Sequence, residues 1–163
     1  MINMQIFSNN IQVYTGDELR EQIHVTKKYV QRNNIVKIFE YLKSRTPRLL
    51  LISGLRRTGK TIMIKQAIDN LSDDQFKKTS LINIDFVKED IDYFDLEHIV
   101  ELLYREEISY IFIDVASSIR DLCINSKRLC DNYCFGDKRI ILIESNSISF
   151  WLAKRYALFG RFE

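Results

Sequence analysis

The sequence predicts an α/β fold built on a parallel sheet. Four short, continuous apolar segments have the character of strands that are covered on both faces. Helix-like stretches separate them near residues 59–72, 95–107 and 117–131. Strands that alternate with helices in this way are typical of a parallel sheet in a layered fold. The four predicted strands are Leu49–Ser53, Ser80–Asp85, Tyr110–Asp114 and Arg139–Glu144.

Residues 1–45 are predicted to form a strand and helical extension in front of the sheet. The segment Ile11–Tyr14 alternates weakly, and Thr15–Glu18 is typical of a helix start with acidic residues in its first turn. Helices should fill most of residues 17–45, with a break at Asn33–Asn34. We therefore expect this extension and a core over residues 46–163 to fold together as one compact domain.

Composition excludes several classes of protein. The chain has 163 residues, 46% of them hydrophobic and 28% charged, which is enough for one ordinary core. The net charge is only +2 and the basic pairs are scattered, so a role in binding nucleic acid is unsupported. The apolar runs fall far short of the roughly 18 residues of a membrane span, and the first residues lack a basic targeting region. We expect a cytoplasmic protein without membrane contact.

The strongest chemical signal is Gly54–Thr61, a full match to the pattern G-x-x-x-x-G-K-[ST] between a predicted strand and a predicted helix. This pattern forms a phosphate-binding loop, or P-loop, because glycines let backbone amides face the phosphates and the helix adds its dipole. We expect Lys60 to reach the β and γ phosphates and Thr61 to bind Mg²⁺ through its hydroxyl. The side chains of Arg56 and Arg57 either contact the phosphates or face the solvent, and the sequence leaves both interpretations open.

A P-loop site also needs an acidic residue on a neighbouring strand to hold the metal and its water shell. Asp114 is the metal candidate, because it follows four largely apolar residues at the end of a predicted strand. The other reading is an aspartate that caps the next turn, which is common after strands. Asp85 is only a weak candidate for a carboxylate that orients the attacking water, and is interpreted as a helix or turn cap.

Five segments occur in an order that is informative as a set: Leu50–Thr61, Asn83–Asp85, Tyr110–Asp114, Glu144–Ser147 and Leu158–Glu163. Together they resemble the prokaryotic AAA-superfamily ATPases that continue into a winged-helix region and a nuclease-like C-terminal domain. The resemblance implies a P-loop NTPase core in which the fourth strand lies between the first and the third. It also implies a polar sensor residue at the end of the fourth strand.

Two features depart from the family pattern. The family places a glutamate after the metal-binding aspartate, where it polarises the attacking water, whereas this chain has Val115. Loss of such a carboxylate reduces hydrolysis by a factor of about 10²–10⁴, judging from general-base contributions elsewhere. Glu144 is a candidate replacement, because the implied strand order places it beside the P-loop; the alternative is a surface or metal-shell carboxylate. The chain ends at Glu163, so the fifth strand and the lid of the family are expected to be missing.

The motif and the resemblance together predict the core of an AAA-type ATPase that binds ATP with Mg²⁺ and hydrolyses it slowly. The alternative is a degenerate module that acts through protein association without turnover, and a small P-loop kinase is a third reading. The expected catalytic residues are Lys60, Asp114 and Glu144, and the expected metal ligands are Thr61 and Asp114. The expected nucleotide contacts are Gly54, Leu55, Arg56, Arg57, Thr58, Gly59, Lys60, Thr61, Ile62, Ser145 and Asn146.

Two features near the C-terminus point to partners. The segment Phe150–Phe159 is predicted to be an amphipathic helix rich in aromatic residues, a face for self-association or for a longer ATPase partner. Arg161 has two readings, an arginine that acts on the phosphate of a neighbouring subunit or a structural residue.

Cysteine and histidine do not form a predicted metal site. Cys123, Cys130 and Cys134 lack a fourth ligand and a C-x-x-C pair, so we expect reduced thiols that act as small core residues. His24 and His98 have no partner at a useful spacing and are expected at the surface.

Overall fold

The computed structural model describes residues 11–55, 57–84, 91–114 and 119–143, apart from the side chain of Cys123. No helix in these ranges is long and apolar enough to cross a lipid bilayer. In chain order the strands are β1 (Ile11–Tyr14), β2 (Leu50–Ile52), β3 (Thr79–Ile84), β4 (Ile91–Asp92), β5 (Tyr110–Asp114), β6 (Ile119–Arg120) and β7 (Arg139–Ile143). The helices are α1 (Gly16–His24), a 3-10 turn (Val25–Lys28), α2 (Ile35–Lys43), α3 (Lys60–Asp69), α4 (Asp73–Lys77), α5 (Tyr93–Arg105) and α6 (Leu122–Tyr133).

Five strands form the main sheet in the spatial order β1-β3-β5-β7-β2. The last four of these are parallel, and β1 is antiparallel to its neighbour β3. The fourth predicted strand, β7, thus lies between the third and the first, as the resemblance implied. The predicted α/β fold with a parallel sheet is confirmed. Because β1 belongs to the N-terminal segment, both segments share one sheet, and the boundary at residue 45 stays a prediction.

Helices cover the main sheet on both faces, which explains why its parallel strands are continuously apolar. On one face Phe112 and Ile141 pack with buried residues of α1, α2 and α3. On the other face Ile113 and Leu142 pack with buried residues of α5 and α6. Successive side chains of a strand point to opposite faces. A strand covered on both faces therefore has no position at which a polar side chain could reach water.

The prediction of a helix over residues 117–131 is wrong at the start of that range. Ile119–Arg120 form β6, which pairs in parallel with β4, and α6 begins only at Leu122. Asp121 lies between them in the left-handed conformation, with φ at 59°, which the interior of a helix of L-residues does not accept. Ile119 is buried in the core under α5 and α6. Long-range burial rather than local periodicity therefore decides the conformation of this segment.

The helix after the loop is also divided differently from the prediction. It ends at Asp69, and the short helix α4 follows it. Ser72 accepts a hydrogen bond from the Gln75 amide, and the Gln75 side chain accepts one from the Ser72 amide. This capping box starts α4. The spacing Ser-x-x-Gln is its sequence signal, which apolar periodicity alone does not reveal.

The described cysteine side chains are structural, as expected. Cys130 and Cys134 are both buried. A hydrogen bond with Cys130, together with burial, raises the pKa of the Cys134 thiol. His24 and His98 are exposed, also as expected. Among the residues described above, no group of three or more His, Cys, Asp or Glu could hold a metal ion.

Tyr41 links α2 to the parallel strands. Its side chain is buried, and its hydroxyl lies 2.6 Å from the Arg48 carbonyl oxygen, to which it donates. The same hydroxyl accepts a hydrogen bond from the Ile140 amide at 3.2 Å. Burial raises the pKa of Tyr41, so the hydroxyl keeps its proton. One side chain thus satisfies two backbone groups where the chain enters β2 and β7.

We expect the substitution Tyr41→Phe to lower the free energy of unfolding by about 1–3 kcal/mol, because it leaves buried backbone groups without a partner. Urea denaturation would measure the change. Tyr29→Phe is the matched control: Tyr29 is half exposed, so its effect should stay within about 0.5 kcal/mol. Equal effects of the two substitutions would contradict the role given to Tyr41.

Candidate functional site

The predicted P-loop segment connects β2 to α3 at the carboxyl edge of the parallel strands. The strand ends at Ile52 and the helix begins at Lys60, so the two elements predicted around the motif are both present. The helix is fixed by burial of Ile64, Ala67 and Ile68, which are inaccessible to solvent. Packing therefore holds both ends of the connection, at the sheet edge where open α/β folds bind ligands.

The turn before α3 requires a glycine. Gly59 is the N-cap of the helix, with φ at +83°, and this left-handed region costs a residue with a side chain about 1–2 kcal/mol. Its carbonyl accepts the first helical hydrogen bond, from the Met63 amide at 2.9 Å. The amides of the first helical turn have no partner within the helix. They form the positive end of the helix dipole, which favours anions.

The Lys60 side chain folds back over the loop. Its ammonium donates to the carbonyl oxygens of Gly54 at 2.8 Å and Leu55 at 2.6 Å. The Thr58 hydroxyl donates to the same Leu55 carbonyl at 2.8 Å and lies 3.4 Å from the ammonium. These contacts hold a positive charge against the loop, close to the positive end of α3.

A pocket of about 220 Å³ lies beside the loop. Among the described residues that line it, the charged ones are Arg32 and Lys60, and none is acidic. Ile52 and Met63 give it an apolar wall. The positive charge of its lining favours an anionic ligand.

Sequence reasoning missed two residues that line this pocket, Arg32 and Asn34. Both belong to the segment before α2, where the pair Asn33–Asn34 was interpreted only as a break between helices. No local signal links this segment to a loop that begins some 20 residues later. Only the packing of α1 and α2 on α3 brings the two together.

Asp114 lies at the same sheet edge as the loop. It ends β5, and Ile113 before it is level with Leu142 of β7, which is level with Leu51 of β2. Asp114 is thus two strands away from the strand that leads into the loop. Because neighbouring strands are 4.7–4.9 Å apart, the separation across the sheet is about 10 Å. The topology therefore brings the two predicted parts of the site to one edge.

The carboxylate of Asp114 is buried, with 6% of the residue exposed. In the described part of the chain it has no hydrogen bond or ion pair. Lys65 of α3 interacts with it at longer range: burial lowers the pKa of Lys65, and the charge of Asp114 raises it by a smaller amount. Carboxylate oxygens are ligands that Mg²⁺ prefers, so Asp114 can serve as a metal ligand at this edge of the sheet.

The other predicted nucleotide contacts in the described chain lie on or beside the loop. Leu55, Arg57 and Thr58 are exposed, and Thr61 and Ile62 are half-buried in the first turn of α3. The remaining predictions fall outside the described residues. They are Arg56, Asp85, Val115, Glu144, Ser145, Asn146, Arg161 and the helix predicted at Phe150–Phe159.

A protein-family model described as an AAA domain matches residues 46–163, which is well over half of the chain. A search of curated proteins found nothing similar. The matched region contains β2, the loop, α3 and Asp114.

We expect Gly59→Ala to lower the free energy of unfolding by about 1–2 kcal/mol, because alanine disfavours the left-handed conformation at this position. Gly136→Ala is the matched control, since Gly136 has φ at +58° and an added Cβ there would meet nothing within 4 Å. Urea denaturation of both variants measures the backbone cost. If Gly136→Ala lowers the free energy of unfolding and Gly59→Ala does not, the backbone at Gly59 relaxes to another conformation and the assigned turn is contradicted.

Proposed function

Because the chain belongs to the AAA domain family, we propose that it binds ATP together with Mg²⁺ at the loop from Gly54 to Thr61. The family gives the domain its general character, a nucleotide-binding domain of the ATPase type. The choice of ATP, the role of the metal and the residues named below are part of the proposal. So is membership of the narrower group with winged-helix and nuclease-like domains.

One observation carries the proposal: a positive charge and the N-terminus of a helix meet at a single turn. Lys60 holds its ammonium within 2.8 Å of the Gly54 carbonyl oxygen, and α3 begins at the same residue. Phosphate groups are the ligands that such a turn favours, because amide donors and a cation can contact several of their oxygens at once. The adjoining pocket, without described acidic residues, supports an anionic ligand.

The residues present fit Mg²⁺ as well. Magnesium usually takes one or two protein ligands and completes its coordination with waters and phosphate oxygens, so a cluster of three acidic residues is not needed. Thr61, in the first turn of α3, and the buried carboxylate of Asp114 would hold it. When bound, the ion supplies positive charge to the β and γ phosphates.

Hydrolysis would proceed by in-line attack of water on the γ phosphate, with Lys60 neutralising the charge that develops there. We propose Glu144 as the group that orients the water, since Val115 cannot, and Ser145 or Asn146 as the sensor of the phosphate. Turnover should be slow. The second candidate is a binding module without turnover, favoured by the valine at position 115. A phosphate-release assay run beside a binding measurement separates the two.

A protein-binding face is also proposed, and only the sequence supports it. The aromatic segment Phe150–Phe159 is the proposed face for self-association or for a longer ATPase. A mass measurement in solution, with and without ATP, would test it. An unchanged monomer at all concentrations would contradict self-association.

We expect Lys60→Ala to weaken ATP binding about 10-fold to 100-fold, the range for loss of a charged hydrogen bond. Titration with labelled ATP would measure this. Lys127→Ala is the control: Lys127 is an exposed residue of α6, on the sheet face opposite to α3, and its loss should leave affinity unchanged. Full ATP affinity in Lys60→Ala would refute binding at this loop.

We expect Asp114→Asn to reduce the gain in ATP affinity that Mg²⁺ gives to the unaltered protein. Asparagine keeps the shape of the side chain and removes the charge that would attract the ion. Titrations with and without Mg²⁺ give the ratio directly, and thermal unfolding checks that the buried substitution leaves the fold intact. An undiminished effect of Mg²⁺ in a folded variant would exclude Asp114 from the metal site.

A further inference from the structure

The guanidinium of Arg32 lies directly against the turn at Gly59. A Cβ placed on that glycine would be 2.5 Å from Nη2 and 3.2 Å from Cζ of Arg32. Glycine at position 59 therefore leaves room for the arginine, in addition to allowing the left-handed turn. Arg32 is exposed, so its donors can be reached by a ligand in the pocket that it lines.

Gln66 of α3 holds the backbone that carries Arg32. It is buried, with 6% of the residue exposed, and its amide nitrogen lies 3.2 Å from the carbonyl oxygens of both Tyr29 and Val30. Its amide oxygen accepts a hydrogen bond from the Arg32 amide at 3.4 Å. The helix that begins at the loop thus also fixes the segment before α2.

Arg32 adds a positive charge to the same pocket as Lys60. Three positive groups converge here: Arg32, Lys60 and the N-terminus of α3. Among the described residues no carboxylate pairs with Arg32, and none lines the pocket. An anion bound in the pocket would be attracted by all three groups, and a guanidinium suits phosphate oxygens because it offers two parallel donors.

We propose that Arg32 is a second cation for the phosphates of the bound nucleotide, beside Lys60, and that Gln66 is the residue that positions it. This inference rests on the proposed function. It extends the site beyond the loop motif to the N-terminal segment of the chain. Arg32 would contact the phosphates directly, whereas Gln66 acts only through the backbone of residues 29–32.

The test uses two ligands and three variants of the full chain. ATP and inorganic tripolyphosphate, which has no base or sugar, are each titrated by competition with labelled ATP. We expect Arg32→Ala to weaken both ligands about 10-fold to 100-fold, the range for a charged hydrogen bond. Arg32→Lys should recover part of the loss, because it keeps the charge and loses the paired donors.

Arg45→Ala is the matched control. It removes the same charge from an exposed residue before β2, at the opposite edge of the sheet from the loop. Its effect on affinity should be less than about two-fold, because the charge lies more than a Debye length away. Thermal unfolding of Arg32→Ala should match that of the unaltered protein, because the removed side chain is exposed.

Other results would show whether the role of Arg32 or the proposed function itself is wrong. If Arg32→Ala weakens ATP and leaves tripolyphosphate unchanged, Arg32 contacts the base or ribose and the phosphate assignment is wrong. If neither ligand changes while Lys60→Ala still loses affinity, the inference fails and the proposed function stands. If the unaltered protein binds ATP and not tripolyphosphate, contacts to the phosphates do not hold the ligand and the inference is overturned. If it binds neither ligand, both proposals fail together.

The role of Gln66 has its own readout. Gln66→Met keeps the length of the side chain and its helix propensity, and removes the amide that contacts residues 29–32. We expect it to weaken tripolyphosphate binding when Arg32 is present and to have no further effect in Arg32→Ala. Equal losses in both backgrounds would show that Gln66 acts on the fold in general and not through Arg32.

Discussion

The turn at Gly59 joins a strand and a helix that the core holds in place. β2 lies in the sheet beside β7, and α3 buries Ile64, Ala67 and Ile68. Between them the backbone turns through a left-handed residue. The same turn starts α3, and the amides of a first helical turn have no partner within the helix. The pocket, the position of Lys60 and the approach of Arg32 all depend on it.

Charge is distributed unevenly around that turn. Cationic groups lie on the loop and on the segment before α2, whereas the buried carboxylate of Asp114 lies two strands away at the same sheet edge. A polyphosphate with a bound divalent cation has the complementary arrangement, because its oxygens would meet Arg32 and Lys60 and its metal would meet Asp114.

The N-terminal segment contributes to both the fold and the site. β1 adds an antiparallel strand to the edge of the sheet, and α1 and α2 cover α3. Gln66 then fixes residues 29–32 against the helix. These contacts make the segment part of the same core as α3. The phosphate motif therefore supplies only some of the residues that line the pocket.

Much of this architecture follows from local pattern. The four parallel strands were predicted within one or two residues, because a strand buried on both faces must be continuously apolar. Gly59 and Lys60 were identified because the chemistry of phosphate binding restricts residue types at fixed spacing. The short strands β4 and β6 were missed, because two-residue strands have no periodicity and exist only through their pairing with each other.

The amino-acid sequence by itself therefore determined the layered α/β class, the strands, the loop and Asp114 as a strand-end carboxylate. Tertiary structure alone decided which distant segment lies against that loop. Arg32 and Gly59 are brought together by the packing of α1 and α2 on α3 and by the hydrogen bonds of Gln66, contacts between residues more than 25 positions apart. Local patterns report the conformation and burial of neighbouring residues. They do not predict which buried surfaces pack together, because that packing depends on the free energy of the whole core.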